Sequence, residues 1–372
     1  MDSVRKILLV SNGFYPEISP RSFRATELAK EFSRQGHHVV VITKWRDYDY
    51  SDFLKEYNIT IKLWRKSPLP VNPARACNPF SLVNRIIARL LLYFFEYPGI
   101  MDMFKVKKVL KGERSYDLMI SFAVPHPVHW GVAWAWSRTN TIAIKWIADC
   151  GDPYMFARLD TLGKPFYFKF LEKKFCRNCD YITVPFAEMS AQFYKEFLPK
   201  IKVIPQGFNF DEIKLYESQL TNNRPTFIYA GTVIPGKRDL TIFIDFISTL
   251  SIDFLFIIYT QKPEWFRRQR IILGKKLDIR GYIDRLSLIY EMSKADFLVN
   301  VDTPFDTESN IEAVPSKLID YALSGRPILN LNSSRIDKDL VIEFMNGNYS
   351  RQRIIEKSRY DIKKITAQFL QL

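Results

Sequence analysis

Four cysteines in 372 residues are too few for a disulfide framework, so the chain has to be held by apolar packing. Two of them, Cys176 and Cys179, form a lone C-x-x-C inside Phe170–Cys179, a stretch with helical patterning. No second pair accompanies it, so two half-buried helical thiols are expected rather than zinc or redox chemistry. Long apolar runs are also missing: stretches such as Leu90–Phe95 fall far short of the ~20 residues that span a bilayer. The opening Met1–Lys6 passes straight into Ile7–Val10, too brief for the core of a secretion signal, and a cytoplasmic protein is expected. No Asp-x-Asp metal motif is convincingly placed; Asp47-Tyr48-Asp49 sits in a polar loop and reads as solvated surface. Internal repeats and low-complexity segments are absent.

What is present is the composition of a globular chain, 47% apolar and 15% aromatic, long enough for two domains with a core each. The net charge of +14 (54 basic minus 40 acidic residues) is unevenly spread. Residues 1–200 carry 30 Lys/Arg against 19 Asp/Glu, whereas residues 201–372 carry 24 against 21. The first half therefore suits an anionic partner, for which nucleic acid and an anionic membrane surface both qualify.

Both halves follow one grammar. Lys6–Ser11 reads as a buried strand, Asn12–Glu17 as a turn-rich loop, Arg21–Gln35 as a helix stopped by Gly36, and His38–Thr43 as a second buried strand. Further strands are expected at Leu118–Phe122, Ala143–Ile147 and Tyr181–Val184. The pattern restarts with a strand at Thr226–Ala230, a loop at Gly231–Lys237 and a helix at Asp239–Leu250. Strands follow at Phe254–Tyr259, Leu277–Arg280 and Phe297–Val301. Apolar strands alternating with helices make parallel α/β units, so two doubly wound Rossmann-like domains facing a cleft are expected. Their bounds are read as 1–205 and 206–352, with the amphipathic helix of residues 353–372 packing back on the first domain.

The most informative stretch runs from Glu312 through Pro315-Ser316-Lys317-Leu318 to Asp320 and Gly325-x-Pro327. A loop enters a helix near Pro315, and Gly325 and Pro327 stop it. Such a helix start offers free N–H groups and a positive dipole end to a diphosphate. Ser316 adds a hydroxyl and Lys317 a charge, while Asp320, one turn in, is placed to accept bonds from ribose hydroxyls. This segment resembles the donor-site signature of the retaining GT-B glycosyltransferases of family four, in which two acidic residues are separated by seven others, as Glu312 and Asp320 are. Asp320 occupies a position where that family usually has Glu. Other stretches agree in order along nearly the whole chain: Tyr229–Asp239 resembles the family's glycine loop with its basic pair, and Val203–Asn209 its interdomain segment. Phe14–Glu17 through Gly36–Val39 resembles its opening, with Ser19-Pro20 where Gly-Gly is usual. Pro20 has no N–H to offer a phosphate.

The resemblance implies a GT-B fold, a nucleotide-sugar donor, expected to be UDP-linked, and transfer with retention. It implies that Glu312 lies beside the transferred sugar, that Arg238 with Lys237 holds the diphosphate, and that Gly231, Gly281 and Tyr282 line the nucleotide site. His129 is the implied contact to the sugar, with His126 as its substitute; Asp149 and Asp152 either cap a helix or lie near the site. A nucleoside diphosphate leaving group needs its negative charge stabilised, which Lys237, Arg238, Lys317 and the helix start can do with no metal and no further cofactor. For the acceptor, Val83–Phe95 reads as a strongly apolar helix with two arginines, and Lys105, Lys107, Lys108, Lys111 and Arg114 follow it. Residues 83–114 suit either an interfacial helix on anionic lipid or a core helix with a solvated face. The first reading implies a peripheral enzyme with a glycan or lipid-linked acceptor, in bacterial surface-polysaccharide synthesis. Three alternatives stay open: a GT-B sugar-nucleotide epimerase, a non-catalytic transferase-like scaffold, and a nucleic-acid binder, which no recognition motif supports.

Overall fold

Residues 3–64, 81–137, 141–156, 163–218, 222–231, 233, 239–302 and 316–372 are described by the computed structural model. The chain forms two compact units, residues 1–208 with 362–372 and residues 209–361. Residues 353–361, expected to travel with the terminal helix, thus belong to the second unit.

The first unit is built on a parallel sheet of seven strands: β1 (Lys6–Ser11), β2 (His38–Lys44), β3 (Thr60–Trp64), β4 (Tyr116–Ala123), β5 (Ala143–Cys150), β6 (Tyr181–Val184) and β7 (Ile201–Val203). Their order is β3-β2-β1-β4-β5-β6-β7, and every pairing is parallel. Side chains alternate between two fully buried faces, as a strand period of two requires. Leu8, Val10, Val40, Ile42 and Met119 point to one core, which α4 (Ile100–Leu110), α5 (Pro127–Ala135) and α6 (Phe168–Asn178) complete. Ile7, Leu9, Val39, Val41 and Ile120 point to the other. That face is covered by α1 (Pro20–Arg34), by α2 (Ser51–Tyr57), and by Ile362, Ile365 and Phe369 from the C-terminal end of the chain. The short strands β3 and β7 and the helix α2 had no sequence expectation.

Ser19-Pro20 starts α1. The Ser19 hydroxyl accepts from the Ser22 N–H at 3.2 Å, and Pro20 takes the first helical position, where its missing N–H costs nothing. The pair standing where the family has Gly-Gly is therefore a helix cap. Opposite it, buried Arg24 makes a two-pronged ion pair with buried Asp149, both contacts at 2.7 Å, and donates to the Pro205 and Ile204 carbonyls. This ties α1, β5 and the chain's exit from the sheet together. The apolar helix α3 (Ser81–Phe95) precedes α4.

The second unit repeats the plan with β8 (Thr226–Ala230), β9 (Leu255–Tyr259), β10 (Leu277–Arg280), β11 (Phe297–Asp302) and β12 (Ile328–Asn332), in the all-parallel order β10-β9-β8-β11-β12. One face carries an aromatic stack, Phe227 lying 4.8 Å from Phe297 and 4.9 Å from Phe256. It is covered by α7 (Thr241–Ser248), α8 (Arg267–Leu273) and α11 (Lys338–Met345). The helices α9 (Arg285–Met292) and α10 (Ser316–Leu323) touch one another. The last helix, α12 (Ile362–Gln371), is shorter than the residues 353–372 expected of it. Arg353 explains the late start: its N–H donates to Ile328 at 2.9 Å and its guanidinium to Asp302 and Asn330, binding the segment to β11 and β12.

Candidate functional site

A parallel sheet offers a ligand crevice outside its carboxyl ends, where the strand order reverses. In the second unit that point lies between β8 and β11, and a cavity of about 220 Å³ opens beside it. Ala230 and Gly231 form its floor at the end of β8, Tyr259 and Thr260 come from the end of β9, and Lys317, Asp320 and Tyr321 come from the start of α10.

Gly231 has φ +149°, a conformation that side chains disfavour, and a Cβ there would lie 3.6 Å from the Tyr229 hydroxyl and 3.7 Å from the Lys317 stem. The backbone can thus meet a ligand closely at this turn. The Lys317 ammonium sits 5.2 Å from the centre of the buried Tyr229 ring, so its charge is placed by packing as well as by the helix start. Tyr321 pins the cavity floor: its hydroxyl accepts from the Ala230 N–H at 2.8 Å, with the Ala230 and Val299 carbonyls at 3.1 and 3.2 Å for its proton. Asp320 is held by Arg285 of α9, which donates from Nε to Oδ1 at 2.8 Å, with Nη2 2.7 Å from the same oxygen. Burial pushes the Asp320 carboxyl above its ordinary range, and the Arg285 charge and hydrogen bond pull the other way.

Of the residues singled out from sequence, Gly231, Tyr282, Lys317 and Asp320 line this one cavity. Gly281 adjoins Tyr282 and has open space around it, with nothing within 4 Å of a Cβ built there. Ser316 is the first residue of α10. Glu312, Lys237 and Arg238, and the side chain of Ser316, lie outside the described residues. The sequence reading passed over Arg285 and Thr260 and gave Tyr321 no role. Arg285 follows Asp284, whose carboxylate caps α9 by accepting from the Ser287 N–H at 3.0 Å; a capping residue next to a cation was its only local sign.

The two histidines are both buried. His129 is fully buried in the first unit. Its Nδ1 lies 2.8 Å from the Ser121 hydroxyl, which in turn accepts from the Trp146 indole at 2.8 Å. Phe175 packs 5.0 Å from the His129 ring. His126 is 3% exposed and its Nε2 donates to the Asp152 carbonyl at 3.0 Å. Burial pushes His126 down to about 4 and His129 well below its ordinary value, so both rings are neutral at pH 7. Both rings are thus enclosed by the first unit's own side chains. Among the described residues Asp149 caps no helix; it is the carboxylate of the Arg24 pair and also accepts from Thr183 at 2.7 Å. Cys176 and Cys179 are free thiols, fully rather than half buried, and no metal-binding cluster occurs among the described residues.

The sequence profile described as Glycosyltransferase Family 4 matches residues 23–212. None of the curated proteins matches the chain by sequence. Among solved structures, HepE of Anabaena, in complex with UDP, superposes with a TM-score of 0.62 at 13% identity, over 98% of each chain. TarM superposes with a TM-score of 0.61 at 11% identity, over 99% of this chain and 98% of its own. A glycosyltransferase of Rickettsia africae gives 0.57 at 14% identity, over 98% and 92%. At such identities the likeness establishes the GT-B fold, which the two five-to-seven-stranded parallel sheets share.

Proposed function

Because the chain belongs to glycosyltransferase family 4 and is a nucleotide-sugar-dependent transferase, we propose that it moves a sugar from a UDP-linked donor to a glycan or lipid-linked acceptor, with retention. The observation that carries the donor site is the cavity at the β8–β11 switch point, where Lys317, Asp320 and the start of α10 meet the Gly231 turn. The pyrophosphate is read against Gly231, Lys317 and the start of α10 with Ser316, where backbone N–H groups, the helix dipole and an ammonium favour negative charge. Lys237 and Arg238, by the family resemblance, complete that anion site, and Glu312 lies beside the transferred sugar. Asp320 takes the ribose, and Gly281 with exposed Tyr282 the base. UDP is the nucleotide bound in HepE, and that supports uridine as the base here.

Titration of the protein with UDP, GDP and ADP, with and without Mg²⁺, tests the reading. Micromolar, metal-independent binding of UDP alone is expected, lost in Asp320→Ala and Arg238→Ala. Failure of all three nucleotides to bind would remove the transferase site and bring the scaffold reading forward.

The acceptor side of the proposal is an anionic membrane surface. In support, α3 leaves Leu90 and Leu92 each 50% and Phe95 61% exposed, more apolar surface than a solvated helix needs. Phe166 and Phe170 are exposed as well, at 71% and 62%. Their segment is tied to α3, the Tyr93 hydroxyl donating to Gly163 at 2.9 Å and the Tyr167 hydroxyl to Phe94. Arg85, Arg89 and Lys108 are exposed, whereas Glu96, Asp102 and Glu113 are each engaged with a cation. The protein is expected to float with phosphatidylglycerol-containing vesicles and not with phosphatidylcholine alone, and Leu90→Glu/Phe95→Glu to abolish flotation. No helix among the described residues is long and apolar enough to cross a membrane.

A further inference from the structure

We propose that Arg285 is a positioning residue for nucleotide binding, which fixes the Asp320 carboxylate so that its second oxygen is presented to the ribose hydroxyls. The inference rests on the nucleotide reading of the cavity and deepens it.

Asp320 has a short side chain and stands one turn into α10, so its carboxylate can swing about two torsions unless something holds it. Arg285 reaches it from a different helix, 35 residues away in sequence. Both close contacts, 2.8 Å from Nε and 2.7 Å from Nη2, fall on Oδ1, which holds that oxygen and leaves Oδ2 outside the Arg285 contact. Arg285 is itself well anchored: it is the first residue of α9, next to the Asp284 cap, so its backbone is set by a formed helix end. The Asp320 and Arg285 side chains are only 19% and 25% exposed, so the pair is shielded from bulk water without being sealed from the cavity that Asp320 lines.

The chemistry follows from charge. A partly desolvated carboxylate tends to pick up a proton, and a protonated acid is a weaker acceptor for a hydroxyl than a carboxylate. The guanidinium opposes that tendency, its charge and hydrogen bond pulling the carboxyl back toward its ordinary range. With Arg285 removed, Asp320 loses both its orientation and the cation that favours its charged form. The loss acts on the hydroxyl contacts and leaves the phosphate contacts of Lys317 in place.

The test uses the full chain, with UDP and 2′,3′-dideoxy-UDP titrated into the wild type, Arg285→Gln and Arg285→Lys at pH 6 and pH 8. Each affinity is taken relative to the wild type at the same pH, so that ionisation of the ligand cancels. The wild type is expected to prefer UDP to the dideoxy compound by roughly tenfold or more, the scale of a hydrogen bond to a charged acceptor. In Arg285→Gln that preference collapses and UDP affinity drops further at pH 6 than at pH 8. Arg285→Lys, which keeps the charge, restores the flat pH response. Dideoxy-UDP binding that is equal in wild type and Arg285→Gln shows that the cavity is still folded. The proposal is overturned if Arg285→Gln keeps the wild-type preference at both pH values, or if it binds UDP more tightly, which would place the guanidinium in the ribose position. Absence of nucleotide binding by the wild type would instead overturn the nucleotide reading, and this inference with it.

Discussion

Tyr321 does through one hydroxyl what a loop would otherwise need several residues for: it joins the end of β8 to the middle of β11 at the floor of the cavity. Tyr321→Phe leaves the buried Ala230 N–H without its acceptor, so a loss of about 1–3 kcal/mol is expected in urea unfolding, together with weaker UDP binding. Glu172 is the opposite kind of residue, one that costs stability. It is buried in the first unit, where desolvation pushes its carboxyl up to about 7 while the Met155 and Tyr154 N–H groups and the Tyr194 hydroxyl pull it down. In the unfolded chain a glutamate titrates near ~4.3, so between these values the folded state holds the extra proton. Its contribution therefore makes stability fall as pH rises from about 4.5 to 7. Glu172→Gln is expected to flatten that fall and to raise stability at pH 8 by on the order of 1–3 kcal/mol, as read from melts at pH 5 and 8. At this scale the sequence was partly legible. Lys317 and Asp320 stand in a recognisable local pattern, whereas nothing within a few residues of His129 announces that Ser121, Trp146 and Phe175 enclose it.

Among the elements, α4 and α5 approach most closely at Gly131, where a Cβ would lie 2.6 Å from the Met103 carbonyl and 2.8 Å from Val106 Cβ. Backbone cannot yield as a flexible side chain can, so Gly131→Ala is expected to force the helices apart and to cost about 1–3 kcal/mol, measured by chemical denaturation. The strands that sequence patterning located are those with apolar residues on both faces, such as β1, β2 and β11, because burial on both sides leaves an uninterrupted apolar signature. The edge strand β3, with Thr60, Lys62 and Leu63 exposed, carries no such signature. The start of α12 was misplaced for a related reason. Ile354 continues a helical apolar pattern, yet Arg353 is held on β11 and β12 by contacts that no periodicity records. Ser19-Pro20 shows the converse: a departure from the family pattern that local rules explain completely as a cap.

For the molecule as a whole, each unit owns its core, two faces of one sheet in the first and the aromatic stack of the second. A ligand confined to the second unit should therefore protect that unit first. UDP at a hundredfold excess over its Kd is expected to stabilise residues 209–361 by about 2.7 kcal/mol, and hydrogen exchange should slow in β8, β11 and α10 before the first unit responds. Slowing confined to the first unit would place the nucleotide there instead. The sequence by itself determined the α/β class, the restart of the pattern after residue 205, and the residues that gather at the start of α10. All of these are written in periodicity or in motifs a few residues long, where a side chain's neighbours along the chain are also its neighbours in space. Tertiary structure alone decided that His129 and His126 are enclosed in the first unit, that Arg24 with Asp149 fastens α1 to β5, and that Arg285 holds Asp320. Those outcomes depend on which strands pair, in which register, and on which helices the pairing brings together. Partners separated by 35 residues in one case and 125 in another meet only once the sheets are formed.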